Sequence, residues 1–382
     1  MTNCKERLAL LVAPAVYGLS ILGCGSGDGS PVGQESAALS TGGGGSQYSV
    51  TDLGAFAGHK SYAMGINNSG SVVGYSNVND SNTHAFLWDG SLHDLEAMCR
   101  GCSSAAFGIN ANGLVAGGPD PGGGDTDAWL WSKAEGFIDL GAWHGIHWGY
   151  ANGVNNHGVA VGNALQCNNC YDHAFLWDGR LHNLGDLDNN QGESVASSIN
   201  DDKVVVGQAF TPHAARAFRW TSETGMVDLG TLTGAESAFS DASGINASGV
   251  IAGYSDTEDG AGAAVYWSPD PTQPLPVIHR IGKLPGGGLV WSDAINSQGD
   301  VVGQSGAFGG VERAFLYCRG GVIRDINTLI PRDSHWQLYE ATGINDTGQI
   351  VGQGSDDSGK YTHAFLLTPT TPGRPCEPIS SQ

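Results

Sequence analysis

Apolar and polar positions alternate along this chain in short runs, and the runs return in a fixed order. The first is a small-residue strand ending in Gly-Ile-Asn, at Gly65-Ile66-Asn67 and Gly108-Ile109-Asn110. It recurs as Gly153-Val154-Asn155, Ser198-Ile199-Asn200, Gly244-Ile245-Asn246, Ala294-Ile295-Asn296 and Gly343-Ile344-Asn345. A short turn such as Asn68-Ser69-Gly70 leads to an aliphatic pair closed by glycine, at Gly74, Gly117, Gly162, Gly207, Gly253, Gly303 and Gly352. Then comes a run apolar on both sides of the pleat, His84-Ala85-Phe86-Leu87-Trp88 and its variants through Trp131, Trp177, Trp220, Trp267, Tyr317 and Leu367. An Asp-Leu strand follows, as at Asp94-Leu95, Asp139-Leu140 and Asp228-Leu229.

We label these runs A, B, C and D. Period-two runs bounded by Gly, Asn and Asp read as strands, and the tight A–B and C–D links read as hairpins. The unit length runs from 43 residues (Asn67 to Asn110) to 50 (Asn246 to Asn296). Four strands at that period predict the blade of a β-propeller. Strand C, apolar on both faces, suits a sheet sandwiched between neighbours. Strand A carries Ala and Gly at alternate positions (Ala63 and Gly65, Ala106 and Gly108), which suits the crowded axis of a ring.

The ends fix the number of blades. A, B and C each occur seven times, but the chain runs out of D strands after Ala364–Leu367. The missing strand is supplied by Tyr48-Ser49-Val50-Thr51-Asp52-Leu53 at the start. The expectation is therefore an all-β, seven-bladed propeller with four antiparallel strands per blade, closed by an N-terminal outer strand in the last blade. Closure leaves no free sheet edge. The propeller is expected over residues 48–369, with a tail over 370–382.

The elements Asp-Leu-Gly, Ala-x-Gly-Ile-Asn, Val-Val-Gly and His-Ala-Phe-Leu-Trp resemble those of the bacterial extracellular HAF-repeat family. The likeness covers residues 48–369 and implies export and an extracytoplasmic repeat domain, with no reaction or catalytic residue attached. The chain departs from the pattern in its fifth unit, where D reads Arg280-Ile281-Gly282 after a Pro-rich insertion at Pro269–Pro276. The repeat histidine is replaced by Asp127, Arg216, Ala263 and Arg313 in four units, so a shared ring of histidines is not expected.

The N-terminus adds an address. Lys5 and Arg7 precede an apolar run from Leu8 to Leu22, too short to span a bilayer comfortably but suited to a secretory signal. The run ends Ile21-Leu22-Gly23-Cys24 and continues into Gly25-Ser26-Gly27-Asp28-Gly29-Ser30, which resembles a bacterial lipobox and its tether. An ordinary signal peptide, with Cys24 incidental, is the alternative. The lipobox reading makes 1–23 a signal peptide, Cys24 the lipidation site and 24–47 a flexible tether reaching roughly 25–30 Å. Gly25 after the cysteine favours the outer membrane or cell surface, with the membrane touched only through the lipid.

Composition then narrows the function classes. A net charge of −21 argues against nucleic acid, whose phosphates need clustered Lys and Arg. A soluble, self-repelling surface and a monomer are expected. With Cys4 removed and Cys24 lipidated, six cysteines remain for an oxidising compartment. Cys99 with Cys102 and Cys167 with Cys170 could close local loops, and Cys318 with Cys376 could clasp adjacent blades. A zinc site from the two CxxC pairs is the alternative.

Function is sought on the D–A and B–C loops, which are longer and more varied than the hairpin turns and emerge on one face. Trp143, His144, His147, Trp148 and Tyr150 stand in one D–A loop; His59 and the pair His335-Trp336 stand in equivalent ones. Such rings could stack on a sugar or another flat apolar face, or plug gaps between blades. The repeated Asn of strand A is expected to cap its own hairpin, and the repeated Asp of strand D to brace a turn. No metal centre or cofactor is expected. Loops such as Asn77–Asn82 and Asp256–Gly260 offer at most weak calcium sites, and none has the spacing of a recognised calcium loop. No phosphate loop, nucleophile elbow or HExxH appears. The sequence thus points to a surface-anchored binding or adhesion module for an extracellular glycan or protein. A lyase or hydrolase using His144 or His147, and a purely structural envelope component, stand as alternatives.

Overall fold

The computed structural model describes residues 46–57, 59–95, 102–120, 127–141, 148–166, 171–189, 191–260, 262–306, 312–356, 359–371 and Cys376. These form seven four-stranded antiparallel sheets arranged as the blades of a propeller. Blades 1 to 6 each take four consecutive strands in the order A-B-C-D. Blade 7 takes its A, B and C strands from Trp336–Ile344, Ile350–Asp356 and His363–Pro369, and its outer strand from Tyr48–Asp52. Tyr48 pairs with Pro369 and Asp52 with Phe365, so the first strand of the ring seals the last blade.

Among the described residues, seven apolar clusters fill the spaces around the ring. Leu53, Ala63, Val72, Phe86, Val351, Ala364 and Leu366, for instance, join blade 7 to blade 1. Phe86, Phe175, Phe218, Phe315 and Phe365, the central residues of strand C, are fully buried. Each contributes roughly 1.5–3 kcal/mol of transfer free energy.

Strand A is not a regular strand. In every blade its register slips by one residue, so that Met64, Phe107, Asn152, Ser197, Ser243, Asp293 and Thr342 are bulged out of the ladder. The bulge presses a strand A carbonyl onto strand B and explains the glycine that closes strand B. A Cβ on Gly74 would lie 1.9 Å from Tyr62 O, and one on Gly303 would lie 1.9 Å from Trp291 O. The repeated glycine is there because the backbone leaves no room for a side chain.

The A–B turns also need a residue at positive φ. Glycine fills the position at Gly70, Gly113, Gly158, Gly249, Gly299 and Gly348, but blade 4 places Lys203 there at φ 58°. A side chain in the left-handed region costs about 1 kcal/mol. Lys203→Gly is therefore expected to raise the free energy of unfolding by about 0.5–1 kcal/mol, read from the urea midpoint; an unchanged or lower midpoint would show that the turn is unstrained.

Cys318, at the end of strand C in blade 6, is disulfide-bonded to Cys376 in the tail, closing 58 residues. Cys102 is also disulfide-bonded. Cys99, Cys167 and Cys170 lie outside the described residues. Among the described residues, no helix is long and apolar enough to cross a membrane.

Candidate functional site

The two faces of the ring differ, and the asparagines make the difference. Each strand A asparagine does two things. Its Oδ1 accepts from backbone N–H groups of its own turn, as Asn155 does from His157 (3.1 Å) and Val159 (3.0 Å). Its Nδ2 donates to the main-chain oxygen of the asparagine in the next blade. The chain of donors runs Asn67, Asn110, Asn155, Asn200, Asn246, Asn296, Asn345 and back to Asn67, at 2.9–3.4 Å. The capping role is legible in sequence. The closed ring of blade-to-blade bonds is not, because each asparagine's partner is a backbone atom one repeat away.

A second set of ties runs beside it. Asn156 donates to Asp201 and accepts from Ala111 N–H, and Asp346 accepts from Ser297 N–H and from Asn68. The A–B end of the channel is therefore bound up by hydrogen bonds between turns.

The opposite end, toward the D–A and B–C loops, is lined by different chemistry. Strand A contributes Tyr62, Tyr150, Val195, Asp241, Trp291 and Glu340 at one level, and the bulged residues at the level below. Three of the bulged residues reach the next blade: Asn152 donates to Ala196 O, Ser243 to Ser292 O and Thr342 to Ala63 O. Asp293 occupies the same position in blade 6, and its Oδ2 has no hydrogen-bond partner among the described residues.

Asp241, Asp293 and Glu340 thus gather on three adjacent inner strands, Ser240–Ile245, Val290–Ile295 and Trp336–Ile344. Burial pushes the Asp241 carboxyl up to about 7. Burial, then the charge of Asp241, raises Asp293 well above the carboxylate range. Burial, then the charges of Asp293 and Glu312, does the same to Glu340. Glu340 is held by donors from Gln304 (3.3 Å) and Gln353. Like charges cannot all ionise in so confined a space, so the group holds protons near neutral pH. Sequence inspection missed these residues. The available signal was an acid where other repeats place Tyr, Ala, Val or Trp (Asp241 and Glu340) or Met, Phe, Asn, Ser or Thr (Asp293), but the bulge that sets their level is a three-dimensional feature.

The aromatic residues divide. Tyr150 is 2% exposed, and its ring packs edge-on against Phe107 of blade 2 and Trp148. It fills an inter-blade gap, with the half-buried Trp148 on its outer side. Phe239, Tyr254 and Trp291 form a similar plug between blades 5 and 6. His59 stacks on Tyr361 of blade 7 at 4.9 Å, and Lys360 lies over the same ring. His335 is exposed at φ 62°, and Trp336 is half-buried, edge-on to Phe365. Trp143, His144 and His147 lie outside the described residues.

The repeat histidine has a structural partner. His84 bonds Asp94 and His363 bonds Asp52, each at 3.0 Å, so strand C is tied to the outer strand. Arginine makes the same tie in two of the departing units, Arg313 to Asp325 at 3.0 Å and Arg216 to Asp228 at 4.0 Å. Where the outer strand has Asn183 instead, His173 is fully buried and its pKa is lowered, chiefly by burial. The strand D Asp also accepts from the glycine N–H two residues on, as Asp52 does from Gly54 at 2.8 Å. Among the described residues one trio of metal-ligating types lies within 4.8 Å, Asp300, Cys318 and Cys376, and its two sulfurs are bonded to each other.

Comparison of the sequence with known protein families and with characterised proteins gives no match. Solved structures of similar shape are propellers. A streptogramin B lyase superposes with a TM-score of 0.54 at 13% identity, over 85% of this chain and 98% of the other. A prolyl endopeptidase superposes with a TM-score of 0.55 at 12% identity, over 83% of this chain and 49% of the other. At such identities the likeness is one of fold.

Proposed function

We propose that this chain is an exported, lipid-anchored protein of the HAF-repeat type. Its propeller binds an extracellular glycan or protein through the D–A and B–C loops and the channel mouth between them. The observation that carries the reading is the inequality of the two faces. One face is short turns joined by the asparagine ring; the other combines varied loops, half-exposed Trp148 and Trp336, and the protonated acids of blades 5 to 7. The tether's direction supports it. Tyr48 pairs with Pro369 at the C–D end of blade 7, so Ser46 and Gln47 lie on the face opposite the loops. An anchor at Cys24 then turns the loop face away from the membrane.

A second reading, a lyase or hydrolase, draws on one observation: carboxyl groups that stay protonated near neutral pH are equipped to donate a proton. One experiment addresses both. The full chain carrying Cys24→Ser, released as a soluble protein, is screened against a glycan array and in pull-downs with cell-surface proteins. Binding is expected, weakened by about tenfold or more in Trp148→Ala or Trp336→Ala. Recovery of the captured ligand in altered covalent form, abolished by Asp293→Asn, would establish the enzyme. Silence across both screens, with loop variants indistinguishable from the parent, would overturn both readings in favour of a structural component.

A further inference from the structure

The seam between blades 7 and 1 opens as a cleft on the turn face, far from the loop face described above. The position four residues after each strand A asparagine closes a seam. In blades 2 to 5 it is Leu114, Val159, Val204 and Val250, aliphatic residues that seal the turn end of the apolar space between blades. Leu114 packs in one cluster with Trp177, Val159 with Trp220, and Val204 with Trp267, each the aromatic that ends strand C of the following blade. Blades 6, 7 and 1 place polar residues at that position, Asp300, Gln349 and Ser71, and Gln349 stands opposite Trp88 of blade 1.

The consequence is a cleft of about 390 Å³ lined by Trp88, Asp89, Ser69, Ser71, Gln349 and Thr368, among others. Gln349 takes the stopper's place, since a Cβ on Gly70 would meet its amide at 3.2 Å, as one on Gly158 would meet Leu114 at 3.7 Å. But an amide cannot join the apolar packing, so the space above it stays open to water. The indole at this repeat position varies in exposure. Trp267 in blade 5 is fully buried and donates its N–H to Leu229 O at 3.1 Å. Trp88 is half-buried, as Trp177 and Trp220 are, and its N–H has no acceptor among the described residues.

The polar groups around that ring are only partly used. Asp89 Oδ1 takes a bond from His93 at 2.7 Å, leaving Oδ2 without a partner among the described residues. Ser69 Oγ donates to Asn67 Oδ1 at 2.7 Å, and Gln349 Oε1 accepts from Asn345 at 2.8 Å. But the Ser71 hydroxyl stands 3.4 Å from that of Ser69, and Gln349 Nε2 is 3.5 Å from Thr368 Oγ1, a distance that holds little bond energy. The cleft therefore offers one apolar aromatic face, an indole donor, a carboxylate acceptor, the Ser71 hydroxyl and the amide N–H groups of Gln349. That combination matches a neutral polyhydroxylated ring, which stacks its C–H face on an aromatic and exchanges hydrogen bonds around its rim. An anionic ligand is disfavoured by Asp89 and by the overall charge of −21. A volume near 390 Å³ holds one or two such rings.

We propose that the blade 7–blade 1 seam is a binding site for a neutral hexose unit, seated on Trp88 and distinct from the loop face. On the tether side of the ring it sits where a membrane- or wall-borne saccharide would be met. The test uses the full chain with Cys24→Ser and a panel of methyl hexopyranosides and neutral disaccharides, read by saturation transfer to the sugar ring protons. At least one sugar is expected to bind at millimolar concentration. The deciding variant is Gln349→Val, which installs the protein's own stopper from blades 3 to 5. It loses the bond from Asn345 but leaves that amide its bond to Asn67 O, so it is expected to fold and to weaken binding by about tenfold, or about 1.4 kcal/mol. Trp88→Phe keeps a ring but loses the donor and is expected to bind more weakly, and Trp148→Ala on the loop face is expected to leave this binding unchanged. Absence of transfer to every sugar of the panel, or equal binding in the parent and in folded Gln349→Val, would overturn the proposal. Loss through Trp148→Ala instead would move the sugar to the loop face.

Discussion

Replacing Asn155 by alanine is expected to lower the free energy of unfolding by roughly 4 kcal/mol, at about 1–3 kcal/mol for each of the two turn N–H groups left without a partner and about 1 kcal/mol for the bond lost across the seam. Three bonds go at once: those from His157 and Val159 N–H groups to Oδ1, and the one from Nδ2 to Asn200 O in blade 4. Asn155 is 4% exposed, so water cannot readily replace them. The companion variant Asn155→Asp separates the two roles. A carboxylate still accepts from the turn, but it cannot donate across the seam and sets a negative charge against a carbonyl oxygen. If the inter-blade ring matters, Asn155→Asp falls nearly as far as Asn155→Ala at neutral pH in urea unfolding. If the side chain only caps its hairpin, the aspartate variant stays within about 1 kcal/mol of the parent.

The second large effect is on the pH dependence of stability. Asp241 and Asp172 are each pushed up to about 7, mainly by burial, and Asp293 and Glu340 are raised with them. A carboxyl whose pKa is higher folded than unfolded binds more protons in the native state. Stability is then fully present below the unfolded value near 4 and falls as pH rises toward the folded value. The unfolding free energy is therefore expected to decline from about pH 4.5 to about pH 7.5. Asp241 alone can contribute on the order of 4 kcal/mol, at 1.36 kcal/mol per pH unit. Exposed Asp178, lowered by its bond to His182, acts in the opposite sense below that window. Asp241→Asn should flatten the profile and raise stability at pH 8. A profile flat or rising across the interval in the parent would contradict the burial of these acids as ionisable groups.

How much of this could be read from the chain differs by level. The blade repeat, the strand order and the sealing of blade 7 by Tyr48–Asp52 were all legible, because each rests on period and on the supply of strands. The Cys318–Cys376 bond was legible as feasible, since both positions leave strand C on one face of adjacent blades. The turn-capping half of the asparagine's role was legible from its spacing to the turn glycine. The candidate site was much less so. For Tyr150 the sequence left a ligand platform and an inter-blade plug both open; its ring packs between blades, because its direction depends on packing against Phe107.

By itself, then, the sequence determined the seven-bladed ring, since local strand period and hairpin chemistry recur in every unit and need no partner to be recognised. Tertiary structure alone decided three things. It turned seven separate caps into a closed hydrogen-bonded ring, it bulged strand A so that Asp293 sits beside Asp241 and Glu340, and it opened a cleft at Trp88 where Gln349 stands in an aliphatic position. Each depends on residues about 43 or more positions apart meeting across a seam. Distance of that kind is set by how blades pack, and the pattern within one blade does not carry it.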